Sequence, residues 1–74
     1  MKFKQKAFSS AVKNAMFEQM VAKNERISLR QFAKEIDISA STLHRIEKGN
    51  IPDIITFFKL CNWMKIDTKE FIEN

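Results

Sequence analysis

The sequence predicts an all-α fold, a compact five-helix domain with two short helices adjacent at its centre. Three observations predict it. Apolar side chains recur at three- and four-residue spacing, the rhythm of helices with one buried face, and show no β-alternation of useful length. The 74 residues include one Gly and one Pro, too few for a series of hairpins, against seven Phe and one Trp to fill a core. The breaks in the rhythm carry Asn, Asp or Ser, residues that start and stop helices. This length leads to the expectation of one domain, residues 1–74, burying about 60–65% of its unfolded surface.

The first helix is predicted from about Lys6 to Lys23. Phe8, Ala11, Val12, Ala15, Met16, Gln19, Met20 and Ala22 share its apolar stripe, with Ser9, Lys13, Asn14 and Glu18 outside. Asn24-Glu25-Arg26 ends it. Ser28 reads as the N-cap of the second helix, about Leu29 to Ile36, and Gln31 three residues on completes a capping box. Leu29, Phe32, Ala33 and Ile36 are its inward residues. Asp37-Ile38-Ser39 is the next break. The third helix, about Ala40 to Lys48, takes Ser39 as its cap and turns Leu43 and Ile46 inward. Gly49 falls where a helix C-terminus needs a left-handed residue. Beyond the Asn50–Asp53 loop, the fourth helix (about Asp53 to Met64) is strongly apolar, with Ile54, Phe57, Phe58, Leu60, Cys61 and Met64. Asp67 or Thr68 then caps a short fifth helix that carries Phe71 and Ile72.

Charge is distributed unevenly. The net charge is +4, with an isoelectric point near 9.5. Through Lys48 there are ten basic and five acidic side chains; from Gly49 onward there are three basic and four acidic. Four lysines fall in the first 13 residues with no acid beside them. Such asymmetry points to a polyanion, nucleic acid before membrane. The lone Cys61 excludes an intrachain disulfide and a Cys-cluster zinc site, and suits a reducing compartment. No apolar run approaches the roughly 18 residues of a membrane span. Lys13, Asn14 and Glu18 interrupt the apolar stretch that a signal peptide would need. A soluble intracellular protein is the expectation, without cofactor, metal or small-molecule ligand. Ser9-Ser10 has no His or carboxylate partner by spacing, so no enzyme is expected.

An eight-residue helix, a three-residue turn and a short second helix have the spacing of a helix-turn-helix, about residues 28–49. Ala33 is small enough for close helix approach, and Ile38 is apolar within the turn. The outward positions of the third helix, Ala40, Ser41, His44, Arg45 and Lys48, include no acid. The string Ser28-Leu-Arg-Gln-Phe-Ala-Lys-Glu-Ile-Asp-Ile-Ser-Ala-Ser-Thr-Leu-His-Arg-Ile-Glu-Lys-Gly49 resembles the phage Cro/repressor-type (XRE-like) helix-turn-helix family. Ile-Pro-Asp-Ile-Ile-Thr-Phe-Phe-Lys-Leu-Cys, from Ile51, looks like that family's fourth helix, so the likeness covers about Ile27 to Ile72.

The resemblance implies a repressor DNA-binding-domain-like fold and a sequence-specific transcriptional regulator of double-stranded DNA. The implied mode of action is repression at an inverted-repeat operator, by a cytoplasmic protein of prokaryotic or phage origin. Carried over by position, Ala40, Ser41, His44 and Arg45 face base edges, while Ser39, Thr42 and Lys48 lie nearer phosphates. Leu29 replaces the phosphate-contacting Gln common in the family, which shifts that role to Arg30 or Gln31 or removes it. Asp37 replaces the usual turn glycine and tolerates the left-handed conformation. The resemblance also suggests an internal ion pair for Glu47, with Lys23 or Arg26 as the partner, against a plainly exposed glutamate.

A homodimer is expected, because one recognition helix reads only a few base pairs. Trp63, Ile66, Phe71 and Ile72 are the expected contact, as the apolar residues least needed for the core. Phe3 and Phe17 form a competing patch. Cys61 reads as a small buried hydrophobe. The alternative function is a helical protein-interaction module, an antitoxin or adaptor on the same scaffold; it would expose apolar side chains where this chain has Ser41, His44 and Arg45.

Overall fold

The structure, a computed structural model, describes residues 1–74. Four α-helices form: α1 (Gln5–Lys23), α2 (Leu29–Ile36), α3 (Ala40–Glu47) and α4 (Ile54–Met64). A 3-10 helix follows at Thr68–Phe71, and two short strands, β1 (Lys2–Phe3) and β2 (Ile72–Glu73), pair antiparallel with Phe3 opposite Ile72. The fold is mostly helical, but the expected fifth α-helix is not formed. Four residues lie between the Asp67 cap and the β-branched Ile72, too few to sustain an α-helix, and the chain takes the tighter 3-10 turn instead. The strand pair escaped sequence reading because two residues are too short to show alternation.

All four α-helices end in the same way. Asn24, Asp37, Gly49 and Lys65 have positive φ, and at each the backbone folds back on the preceding turn. The Asp37 and Ile38 amides reach the Lys34 and Ala33 carbonyls, while those of Gly49 and Asn50 reach Ile46 and Arg45. This satisfies carbonyls that a helix end otherwise leaves open. Gly49, at φ 96°, has open space around it, so its requirement is conformational rather than steric.

One core joins the helices. Phe8, Val12 and Met16 of α1 meet Phe32, Ala33 and Ile36 of α2, Leu43 and Ile46 of α3, and Phe57, Leu60 and Cys61 of α4. At one end, Phe8 packs edge-on against Phe71 at 5.1 Å and tilted against Phe57 at 5.3 Å, with Phe3 5.4 Å from both Phe8 and Phe57. The strand pair draws both termini onto this aromatic cluster. Phe3 therefore belongs to the core edge. Phe17 remains exposed.

The same closure removes Phe71 from the expected dimer contact. Phe71 is only 5% exposed and belongs to the core. Ile66 and Ile72 are half-buried against it. Trp63 packs on Phe32, ring centroids 5.8 Å apart, and its indole N–H donates to Glu35. The large apolar side chains left open lie elsewhere: Phe17 and Val21 on α1 (63% each), and Ile51 (66%), Ile54 (64%), Ile55 (62%) and Phe58 (53%) in and just before α4.

Lys65 holds a left-handed conformation, φ 59°, with an exposed side chain. Such a conformation costs a non-glycine residue roughly 1–2 kcal/mol, offset in part by the greater unfolded-state freedom of glycine. Lys65→Gly is expected to raise stability by about 0.5–1 kcal/mol, or roughly 2–8 °C in Tm by calorimetry. An unchanged or lower Tm would show that Lys65 contributes a contact outweighing the strain.

Candidate nucleic-acid interface

The interface is built on α2, α3 and the turn between them. Ser28 Oγ accepts from the Gln31 amide at 3.1 Å, and Gln31 Oε1 accepts from the Ser28 amide at 2.9 Å, closing the capping box read from the sequence. At the other end of α2, Asp37 sits at φ 70°, ψ 49°, which redirects the chain into α3. Ile38, half-buried, fills the angle between the two helices. Lys59 of α4 clamps this turn, its Nζ donating to the Asp37 carbonyl at 2.8 Å and to the carboxylate at 3.2 Å. Nothing in the spacing of the two residues, 22 apart, announces that clamp.

α3 is seated by Leu43 and Ile46, both buried. With these two inward, Ser41, His44, Arg45 and Lys48 are left exposed on the outer face. Ala40 is half-buried against the core, so only part of it is available. Ser39 Oγ accepts from the Thr42 amide at 3.1 Å and donates to Thr42 Oγ1 at 2.7 Å. The single hydroxyl proton of Ser39 is therefore engaged, and the free donor at this corner is Thr42 O–H. Gln31 uses Oε1 in the capping box but keeps its amide hydrogens, and Arg30 beside it is exposed. The arrangement is a donor-rich, acid-free convex face flanked by donors at the start of α2.

The end of α3 is fastened on both sides. Asn50 folds back to donate from both backbone and side-chain nitrogen to the Arg45 carbonyl, each at 3.0 Å. Ser9 Oγ of α1 donates to the Glu47 carbonyl at 3.1 Å, and the Gln5 side chain donates to the Gly49 carbonyl. Ser9 is consequently buried, not outside the stripe as its polarity suggests. Glu47 forms no ion pair with Lys23 or Arg26; the one ion pair in the chain is Lys59–Asp37. The half-buried Glu47 side chain instead borders the same clefts as Lys13, midway along α1.

Two ionisable groups are displaced from their ordinary ranges. Hydrogen bonds from Thr56 hold the Asp53 carboxyl, the N-cap of α4, below its usual 3.8. Burial pushes the Cys61 thiol up, and the Asp67 carboxylate adds to this, which keeps the sulfur protonated and unreactive in the core.

Residues 21–71 match the helix-turn-helix family. The chain belongs to the XRE-type helix-turn-helix family. Among curated proteins and among solved structures, no match is found. The matched span contains α2, the left-handed turn, α3 and α4, and only the last turn of α1. As an XRE-type domain it is a DNA-binding transcription regulator. No helix is long and apolar enough to cross a membrane.

The Asp53 shift carries a pH dependence. A carboxyl held below its unfolded value stabilises the fold above that value, and the contribution is lost as pH falls through the folded one. Asp53→Asn caps the helix without a charge. Its Tm is expected to fall less steeply than the parent's below about pH 4. Parallel acid limbs for the two proteins would remove Asp53 from the acid response.

Proposed function

We propose that this XRE-type domain is a sequence-specific repressor that docks α3 in the major groove of an inverted-repeat operator as a homodimer. The observation that carries the reading is the outer face of α3. Ser41, His44, Arg45 and Lys48 stand exposed there, with no acid and no apolar side chain larger than Ala40. Such a face offers donors to base edges and phosphates and little to an apolar protein groove, which favours DNA over the antitoxin or adaptor reading. Arg45 suits a bidentate contact with guanine O6 and N7, with His44 and Ser41 beside it. Thr42, Lys48, Arg30 and the Gln31 amide suit phosphates.

The dimer contact best supported is the open stripe of Ile51, Ile54, Ile55 and Phe58. Ile54 and Phe58, one turn apart, share an edge of α4 with Ile55 beside them, and Ile51 lies in the loop leading into the helix; together they leave roughly 400 Å² of largely apolar surface exposed. Between Gly49 and Phe58 the only charge is Asp53, so two copies meet without strong repulsion. The stripe begins three residues after Lys48, close in the chain to the end of α3. Its area falls below the ~800 Å² per partner of a free-standing interface, so the pair forms chiefly on DNA.

Selection from randomised duplex DNA tests the reading, with a half-site repeated in inverted order about one helical turn apart as the expected product. Arg45→Ala is expected to relax preference at one half-site position by about 1–3 kcal/mol. Lys48→Ala is expected to weaken all sequences alike and reduce the salt slope by about 0.9. An unchanged consensus with Arg45→Ala would refute the assigned readout.

For assembly, Ile54→Ser/Phe58→Ser is expected to lower affinity for the two-half-site duplex at least tenfold, an order of magnitude set by losing about 1.4 kcal/mol of coupling. Binding to a single half-site should be unaffected. Sedimentation that still shows cooperative two-to-one complexes with this variant would move the contact elsewhere.

A further inference from the structure

α1 is 19 residues long, and the family match covers only its last turn, so its first half calls for an account of its own. Lys6, Ser10 and Lys13 recur at four- and three-residue spacing and share one edge of the helix. The two bonds from α1 to the end of α3, Ser9 to Glu47 and Gln5 to Gly49, place that edge beside Lys48. Between them lies a shallow, open hollow of about 270 Å³, lined by Lys6, Ser9, Ser10, Lys13, Glu47, Lys48 and Gly49, none of them a hydrophobic residue. Its three lysines are exposed and none forms an ion pair. Glu47, half-buried, is the only acid in the lining, and no Asp or Glu precedes Glu18 in the chain.

Three exposed ammonium groups against one carboxylate, with the exposed Ser10 hydroxyl beside them, match the chemistry of phosphodiester oxygens. Lys48 belongs both to this hollow and to the outer face of α3, so the two surfaces are continuous. We propose that the Lys6–Ser10–Lys13 edge of α1 is a second phosphate-binding ledge, gripping the DNA backbone that flanks the bases read by α3. The inference rests on the DNA-binding reading and extends its footprint beyond the helix-turn-helix. It also separates two pairs of lysines that look equivalent in the sequence. Lys2 lies in β1 opposite Glu73, and neither Lys2 nor Lys4 lines the hollow.

The test compares fluorescence-anisotropy titrations over a salt series on two duplexes carrying the selected site. One ends at the selected bases, and the other extends by about one helical turn on each side. For the parent protein, the log–log salt slope is expected to be steeper on the long duplex by about 0.9 for each flanking phosphate neutralised. Lys6→Gln/Lys13→Gln should show the same, shallower slope on both duplexes with its base preference intact. Lys6→Arg/Lys13→Arg should restore the parental difference. Lys2→Gln/Lys4→Gln, which removes the same charge, should leave it in place. All four sites are on exposed side chains, and circular dichroism melting verifies folding. A parental slope difference in the Lys6/Lys13 glutamine variant, or equal losses from both glutamine variants, overturns the ledge while leaving the repressor reading standing. A parent protein that binds no duplex at all overturns both. A parent that binds duplex without sequence preference, yet loses its length-dependent slope in the Lys6/Lys13 glutamine variant, overturns the repressor reading and supports the ledge.

Discussion

Asp37 holds a left-handed backbone between two helices of eight residues each, and the direction of α3 follows from that one conformation. Helices of this length are not stable alone in water. They persist because the turn presses both onto a shared core, with Phe32, Ala33 and Ile36 on one side and Leu43 and Ile46 on the other. A residue with a Cβ resists this conformation, and Asp is among those that resist it least. Lys59 adds a bond to the Asp37 carbonyl and an ion pair to its carboxylate. The pair is largely exposed and contributes modest energy. Its effect is geometric, because it ties the turn to α4 and so ties α3 to the body of the fold.

Around that turn, local bonds set where side chains can act. Ser39 and Thr42 bond each other, which leaves one free hydroxyl proton where the residue types offer two. Asn50, Ser9 and Gln5 satisfy carbonyls at the end of α3 and bring the basic half of α1 alongside. The antiparallel pairing of Phe3 with Ile72 folds the C-terminus over Phe8 and Phe57. That pairing turns Phe71 inward, while Ile54, Ile55 and Phe58 of α4 stay open.

The exposed apolar stripe of Ile51 to Phe58 is distinct from the donor-rich face of α3. The outer face of α3 and the adjoining edge of α1 carry donors and positive charge without exposed acids. The stripe from Ile51 to Phe58 is nearly uncharged. A polyanion therefore has a place to bind that is distinct from the Ile51–Phe58 apolar stripe.

Much of this was legible in the residues. The helical periodicity, the Ser28–Gln31 box, Ser39 and Gly49 determined four helices and their boundaries within a residue or two, because capping and amphipathicity are local properties. The family likeness of Ser28 to Gly49 placed the helix-turn-helix, and that stretch lies within the matched span. The strand pair, the burial of Phe71, the Lys59–Asp37 clamp and the burial of Ser9 were decided only by the tertiary structure. Each joins residues far apart in the chain, Phe3 with Ile72 and Ser9 with Glu47. Sequence periodicity shows which side of a helix is apolar. Only packing decides which apolar side chains find partners, and so leaves Phe58 open while enclosing Phe71.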